Sequence, residues 1–229
     1  MTTNSETVYQ NTISFDEDGN VNIVSSGGAY LRYNSASNQI RFRYYKSSSY
    51  TGQKAIQLYR VLSPRDYLTS ISNRLAVNGV EEDGEIVEGS VSLRFGASIS
   101  ISNWEAVNAK WAISEYGVMM IKKSSLTASG YSSIEEAYGK RKLSVVNKSV
   151  TDDGLPYSDG ENYVFTAGVS SIPSANYETV ICAAPYIVAG GEYIFLSELE
   201  YSVIDMAEYC LANGGSNLSD TALDILANN

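Results

Sequence analysis

The sequence predicts a mainly β protein, with a small trefoil-like or meander β-module followed by an antiparallel β-sandwich and a C-terminal amphipathic helix. Residues 91–101 alternate apolar side chains with Ser, Arg and Gly, which is the pattern of a half-buried strand. Residues 116–121 are continuously apolar, which is typical of a strand buried on both faces. The 18 tyrosines, 18 glycines and low charged content of 18% also favour a β-rich protein.

The charge distribution predicts two modules joined by a linker. Residues 1–62 carry 6 basic and 4 acidic side chains, whereas residues 63–229 carry 10 and 22. Ser63 and Asp66 have the spacing of a capping box with Pro64 at the first helical position, which predicts a helix to about Leu75. We therefore predict a Tyr/Arg-rich β-module over 1–62, a helix and acidic linker over 63–89, and a β-sandwich with C-terminal helices over 90–229.

Two helices are predicted at the C-terminal end. Ser197 and Glu200 have capping-box spacing, and Leu199 begins an apolar stripe that continues to Cys210. The glycines after Asn213 end this helix. A second, short helix is predicted from Ser219 through Leu226.

Several chemistries are excluded by composition. The chain contains no histidine, so it cannot itself supply a Ser-His-Asp triad, a Cys-His dyad or a His-ligated zinc site. Cys182 and Cys210 are too few for a four-thiolate metal site, and they form either one disulfide or two buried thiols. No window has the apolar length of a membrane span, and the first residues lack the basic and apolar regions of a secretory signal. No cofactor is predicted.

The segment between Asp18 and Asp66 is the candidate binding region. It contains no acidic residue but holds seven basic residues and six tyrosines. Basic side chains interleaved with aromatic ones are suited to polyanionic or neutral glycans, and also to single-stranded nucleic acid. A third interpretation is a tyrosine-rich sheet whose outer arginines have no ligand. The candidate ligand-binding residues are Arg32, Tyr33, Arg41, Arg43, Tyr45 and Tyr59.

Acidic side chains offer weaker candidates. Asp152, Asp153 and Asp159 lie in oxygen-rich loops that could hold calcium, but their spacing is not that of a twelve-residue calcium loop, and turn chemistry explains them equally well. A hydrolase that uses carboxylates alone would need a pair of acids, at least one with a raised pKa. Glu115, between strand residues, is the one acid whose position indicates partial burial.

Two parts of the chain resemble accessory β-modules of secreted multidomain proteins from gut Firmicutes and Bacteroidetes. Residues 30–34, 41–45 and 54–59 carry the resemblance in the first module. Residues 92–96, 115–118 and 163–167, together with the final helix, carry it in the second. In such proteins these modules often lie beside endonuclease, glycosidase or lamin-tail-like domains. The resemblance brings no catalytic residues with it.

The resemblance implies a non-catalytic extracellular accessory or binding module of a larger secreted or surface protein. We expect a glycan or cell-surface polymer as its partner. We also expect the export signal and a catalytic domain to be encoded upstream of this chain, and the first module to be incomplete. The alternatives are a nucleic-acid-retention module of a secreted nuclease and a purely structural domain.

Overall fold

The computed structural model describes residues 10–18, 20–36, 40–46, 52–58 and 62–229. It confirms the mainly β class, with antiparallel sheets and a few helices. The chain forms two compact units, Met1–Val61 and Leu62–Asn229. None of the helices in the described ranges has the length and apolar composition needed to cross a membrane.

The first unit is an antiparallel meander. The strands are β1 (Asn11–Phe15), β2 (Val21–Ser25), β3 (Tyr30–Asn34), β4 (Arg41–Tyr45) and β5 (Gln53–Lys54). The first four follow one another in the order β1-β2-β3-β4, and the short β5 pairs with β3. The turn between β1 and β2 is held by the Asp16 carboxylate, which accepts the backbone N–H of Asp18 at 3.1 Å and of Asn20 at 2.8 Å.

The second unit contains two antiparallel sheets and a small hairpin. The strands are β6 (Ile71–Asn78), β7 (Glu81–Glu82), β8 (Glu85–Ile86), β9 (Val91–Ser100), β10 (Ile113–Lys122), β11 (Ser144–Ser149), β12 (Tyr157–Ser158), β13 (Asn162–Ile172), β14 (Ile181–Ala189), β15 (Glu192–Phe195) and β16 (Leu199–Tyr201). One sheet has the order β12-β13-β9-β6, and the other has the order β11-β10-β14-β15 with β16 also pairing with β14.

Helices connect and cover these sheets. The predicted tail helix is confirmed: it begins after Ser219, whose hydroxyl accepts the N–H of Ala222, and buries Leu223 and Leu226. The helices are α1 (Ile101–Trp111), α2 (Lys123–Ala128), α3 (Ile134–Ala137), α4 (Val203–Asn213) and α5 (Asp220–Ala227), with 3₁₀ turns at Pro64–Tyr67 and Ser174–Asn176.

The core of the second unit lies between the two sheets. The strand predicted over residues 91–101 forms over Val91–Ser100, and Ile101 begins α1. Its apolar face is buried as expected, with Leu93 and Phe95 against Val118 of β10 and the apolar face of α4. Gly96 and Ser98 on the other face are buried as well, so the strand is more than half-buried. Trp104 of α1 closes one end of this core beside Ile99. The other face of the β10 sheet is covered by α2, α3 and their flanking residues. The continuous apolar run of β10 therefore has buried side chains on both faces, as predicted.

The predicted helix from Pro64 to Leu75 is wrong. Only a 3₁₀ turn forms, over Pro64–Tyr67, and Ile71–Asn78 is a strand that pairs with β9 from Ile71 opposite Ile99 to Asn78 opposite Ser92. The apolar residues of this stretch fit a period of two as well as a helical stripe. Pairing along the whole of an eight-residue strand outweighs local helix propensity.

The predicted capping box at Ser197 is also wrong. Leu199–Tyr201 is a strand, and α4 begins after Ser202. The Ser202 hydroxyl accepts the N–H of Asp205 at 3.1 Å, and Asp205 accepts the N–H of Ser202 at 2.9 Å. The Ser197 hydroxyl is buried and makes no hydrogen bond within the described part of the chain.

These two serines give a matched pair for mutation. We expect Ser202→Ala to lower the free energy of unfolding by about 1 kcal/mol, because it removes an N-cap. Ser197→Ala removes an unsatisfied buried hydroxyl and is expected to change stability by less than about 0.5 kcal/mol. Urea denaturation followed by circular dichroism measures both. Equal losses for the two variants would contradict the assignment of the cap.

Candidate binding face

The register of β3 and β4 distributes the predicted ligand-binding residues over two faces. Arg32 lies directly opposite Arg43, Tyr30 opposite Tyr45, and Asn34 opposite Arg41. Residues that are opposite in an antiparallel pair share a face, and side chains alternate along each strand. One face of the meander therefore carries five basic or aromatic residues, here called the arginine face: Tyr30, Arg32, Arg41, Arg43 and Tyr45.

The Arg32 side chain is held in place by its neighbours. Its Nη2 donates to Oδ1 of Asn22 at 2.7 Å, and its Nη1 donates to the carbonyl oxygens of Leu31 and Val21 at 3.2 and 3.4 Å. The guanidinium carbon lies 5.0 Å from the centroid of the Tyr30 ring, within cation–π range. Arg32 therefore presents a positioned cation beside an exposed aromatic ring.

Two guanidinium groups lie side by side on this face. Arg32 and Arg43 are directly opposite each other, and the partners of Arg32 named above are neutral oxygens. The sequence from residue 19 to residue 65 contains no carboxylate. One anion placed over this pair would contact both guanidinium groups.

Tyr33 does not share the arginine face. It lies opposite Phe42, with ring centroids 5.4 Å apart, on the other side of the sheet. Tyr44 also lies on that side, where its hydroxyl donates to Oδ1 of Asn11 at 3.0 Å. Phe42 and Tyr44 are largely exposed. We call this side the aromatic face: Leu31, Tyr33, Phe42 and Tyr44.

The sequence prediction grouped Tyr33 with the arginines because it considered composition and not the face of the strand on which each side chain lies. It passed over Tyr30, which is two residues from Arg32 and 42% exposed. The period of two in β3 was the signal that could have found Tyr30. Tyr59 lies outside the described residues.

The three aspartates considered for calcium act in turns and an ion pair. Oδ2 of Asp153 accepts the Ser149 N–H at 3.1 Å, and Oδ1 of Asp159 accepts the Asn162 N–H at 2.7 Å. Asp159 also pairs with Arg74 at 3.3 Å; its backbone hydrogen bonds lower its pKa more than this charge does. Asp152 accepts the Thr151 hydroxyl at 3.4 Å. Among the residues that the structure describes, no three His, Cys, Asp or Glu side chains meet in a group that could hold a metal ion.

Glu115 is partly buried and contacts a tyrosine. The Tyr186 hydroxyl donates to Oε1 of Glu115 at 2.6 Å, and Tyr186 is fully buried. Burial, followed by this hydrogen bond, raises the pKa of Tyr186 far above that of a free phenol. The Tyr186 phenol is consequently held in its protonated form, which is a poor nucleophile.

The two cysteines are free and buried in separate parts of the core. Cys182 lies under α2 and α3, and Cys210 lies on α4 between the sheets and α5. Burial, with a further contribution from Glu200, raises the pKa of the Cys182 thiol to about 11. Burial also raises the pKa of Cys210. The alternative of two buried thiols is therefore the one observed.

We expect neither thiol to react with Ellman's reagent in the native protein at neutral pH, because the thiolate is the nucleophile. Two thiols should react after unfolding. Folding raises the pKa of Cys182, so its proton is bound more tightly in the native state. This group's contribution to stability is lost as the pH rises from about 9 towards about 11. Ellman titration with and without denaturant measures reactivity; rapid native labelling would contradict this burial.

Comparison of the chain with protein-family models, curated proteins and solved structures gives no match. The likeness to accessory β-modules therefore stays a prediction from the sequence.

Proposed function

We propose that this chain is a non-catalytic accessory module of a secreted or cell-surface protein and that its arginine face binds an acidic glycan. The observation that carries the proposal is the direct cross-strand juxtaposition of Arg32 and Arg43 within a segment that has no carboxylate from residue 19 to residue 65. A uronic or sulfated sugar carries the carboxylate or sulfate groups that such a pair of guanidinium groups binds.

The side chains of the arginine face suit the two properties of such a sugar. A guanidinium group binds carboxylate or sulfate through two parallel N–H donors. The exposed Tyr30 ring combines an apolar body with a polar end, which suits the apolar C–H side and the hydroxyls of a sugar ring. Because three hydrogen bonds fix Arg32, little side-chain entropy would be lost when it binds a ligand.

The state of the reactive groups in the second unit favours binding over catalysis. Both thiols have raised pKa values, and the buried Tyr186 phenol retains its proton. Catalytic nucleophiles require the opposite, a lowered pKa or an adjacent base. The absence of histidine removes the commonest such base.

Retention of single-stranded nucleic acid is the alternative for the same face. Tyr30 and the arginines could stack on bases and contact phosphates. Tyr30 is the exposed tyrosine of the arginine face, whereas Tyr45 is half-buried. One exposed ring disfavours this alternative, because such proteins stack successive bases on several rings.

Three probes separate these possibilities in binding measurements on the full chain. Polygalacturonate supplies sugar rings with carboxylates, its fully methyl-esterified form supplies the same rings without charge, and oligodeoxythymidylate supplies charge with bases. We expect polygalacturonate to bind at least about tenfold more tightly than either, a difference of about 1.4 kcal/mol. Its affinity should also fall as salt rises from about 50 to about 200 mM, through counterion release.

Each other outcome overturns the proposal. If the methyl ester bound equally well, charge would not contribute, and the binding surface would be the rings of the aromatic face. Preferential binding of oligodeoxythymidylate would establish nucleic-acid retention. Failure of all three probes to bind would leave a structural role for the meander.

A further inference from the structure

Strand β11 is an exposed edge of the second unit. It pairs with β10 alone, from Ser144 opposite Met120 to Ser149 opposite Glu115. Its side chains are exposed from Ser144 through Lys148, including two consecutive valines, Val145 and Val146. Natural proteins usually cover or block such edges, because their free N–H and C=O groups can pair with another strand.

The hydrogen bonds around β11 show which backbone groups face outward. The Val150 N–H donates to the Ser114 carbonyl at 2.9 Å, towards β10. At Ser149, the N–H donates to Asp153 Oδ2 at 3.1 Å and the carbonyl accepts the Asp153 N–H at 2.9 Å, away from β10. Bonding direction alternates along an antiparallel strand, so Val145 and Asn147 also direct their N–H and C=O groups outward.

Asp153 therefore closes the edge at Ser149 and leaves it open at Val145 and Asn147. Among the residues that the structure describes, no second strand pairs with these two. An edge strand of the other sheet, β6, differs, since the Ser216 hydroxyl donates to its Val77 carbonyl at 2.6 Å. The open edge of β11 is thus a specific backbone site.

A groove runs beside this open edge, between β11 on one sheet and β12 and β13 on the other. Its volume is 190 Å³. Val118 and Phe165 are buried at its base, whereas Val146 and Tyr157 at its sides are 48% and 74% exposed. We call this feature the edge groove. Its width and apolar lining suit a single side chain that projects from an added strand.

Lys148 lines the edge groove and has no hydrogen-bond or ion-pair partner in the described part of the chain. Asp153 lies near enough to the lining to add to the raised pKa of Tyr116, of which burial is the main cause. The Asp153 carboxylate is already engaged in the turn, where it accepts the Ser149 N–H. A carboxylate on the incoming strand would pair with Lys148.

We propose that β11 and the edge groove bind an extended acidic peptide segment, which adds to the sheet as an antiparallel strand. The peptide backbone pairs with Val145 and Asn147, one apolar side chain enters the edge groove, and a carboxylate pairs with Lys148. This is recognition by strand addition, in which backbone bonds give affinity and alternate side chains give specificity. Two copies of β11 paired about Val146 would set Lys148 opposite Ser144 and supply no carboxylate, so charge complementarity favours the acidic peptide.

The groove and Lys148 lie on one face of β11, because Val146 and Lys148 are two residues apart and both line the groove. The test therefore uses a fluorescent acetylated peptide, TETVT, and its basic counterpart, TKTVT, with the full chain in fluorescence polarisation. In TETVT the valine opposite Val146 and the glutamate opposite Lys148 share that face. We expect TETVT to bind and TKTVT to bind at least about tenfold more weakly. Asn147→Pro removes an outward N–H, and proline is tolerated on edge strands; it should weaken TETVT binding at least about tenfold. Asn147→Ala retains the N–H and should leave binding within about twofold. Circular dichroism confirms that both variants fold.

Lys148→Glu is a second variant, expected to weaken the binding of TETVT and to strengthen the binding of TKTVT. No binding of TETVT, or equal binding of the two peptides, would overturn the proposal. Equal effects of Asn147→Pro and Asn147→Ala would overturn strand addition. A concentration-dependent dimer in light scattering that Asn147→Pro abolishes would assign the edge to a second copy of this chain instead.

Discussion

Gly96→Ala is expected to abolish the stable fold of the second unit. A Cβ atom at Gly96 would lie 2.1 Å from the Phe165 carbonyl oxygen and 2.7 Å from Cγ2 of Thr166. Both atoms belong to β13, which pairs with β9 at this position, so the methyl group would separate the two central strands of a sheet. Overpacking of a core costs about 1–3 kcal/mol where side chains can shift to relieve it. Here the clash is with backbone and is relieved only by breaking the pairing of β9 with β13, so we expect a loss above about 5 kcal/mol, comparable to a total stability of about 5–15 kcal/mol.

Thermal unfolding followed by circular dichroism measures this effect, and Gly79→Ala is the matched control. At Gly79 the added Cβ would meet Leu218 Cδ2 at 3.4 Å, an ordinary contact. We expect the control to change the unfolding free energy by less than about 1 kcal/mol, as surface or loosely packed substitutions do. An unchanged midpoint for Gly96→Ala would contradict the close approach of β9 and β13.

Trp104→Ala is expected to have the second-largest effect. Trp104 is 2% exposed, and its ring packs edge-on against Tyr163 and Tyr116 with centroids 5.3 and 6.1 Å away. Removing this side chain should lower the unfolding free energy by about 3–5 kcal/mol, through lost burial and the cavity left behind.

The control for Trp104 lies on the same helix. Glu105 is exposed, and Glu105→Ala should change stability by less than about 0.5 kcal/mol. Urea denaturation of both variants measures the difference. If Trp104→Ala and Glu105→Ala lowered the unfolding free energy by similarly small amounts, α1 would not close the end of the core between the two sheets.

The elements predicted best are those whose hydrophobic pattern fits one type of secondary structure only. The alternation along β9 and the continuous apolar run of β10 each bury their apolar side chains only as strands. The stretch from Ile71 to Asn78 fits helical and strand periods equally, and the choice depends on β9, a partner that local propensity does not describe. Likewise Ser197 and Ser202 both have an acid three residues later, and strand pairing of Leu199 with Ala183 decides between them.

The candidate sites show the same limit. Composition located the basic, tyrosine-rich segment, but only the register of β3 with β4 separates Tyr33 from Arg32 and Arg43. The edge groove could not be predicted, because Val146 and Phe165 reach it from strands in different sheets. Open edges depend on which strand has no second neighbour, and that is a property of the assembled sheet.

Adjacent residues of β4 provide the most direct test of the proposed function, since Phe42 and Arg43 lie on opposite faces of the meander. Polygalacturonate affinity of the full chain is measured for Arg43→Gln and Phe42→Ala, with unfolding midpoints to confirm that both variants fold. We expect Arg43→Gln to weaken polygalacturonate binding about tenfold and Phe42→Ala to change the affinity by less than about twofold. The reverse pattern, or equal effects of the two substitutions, would contradict the proposed function.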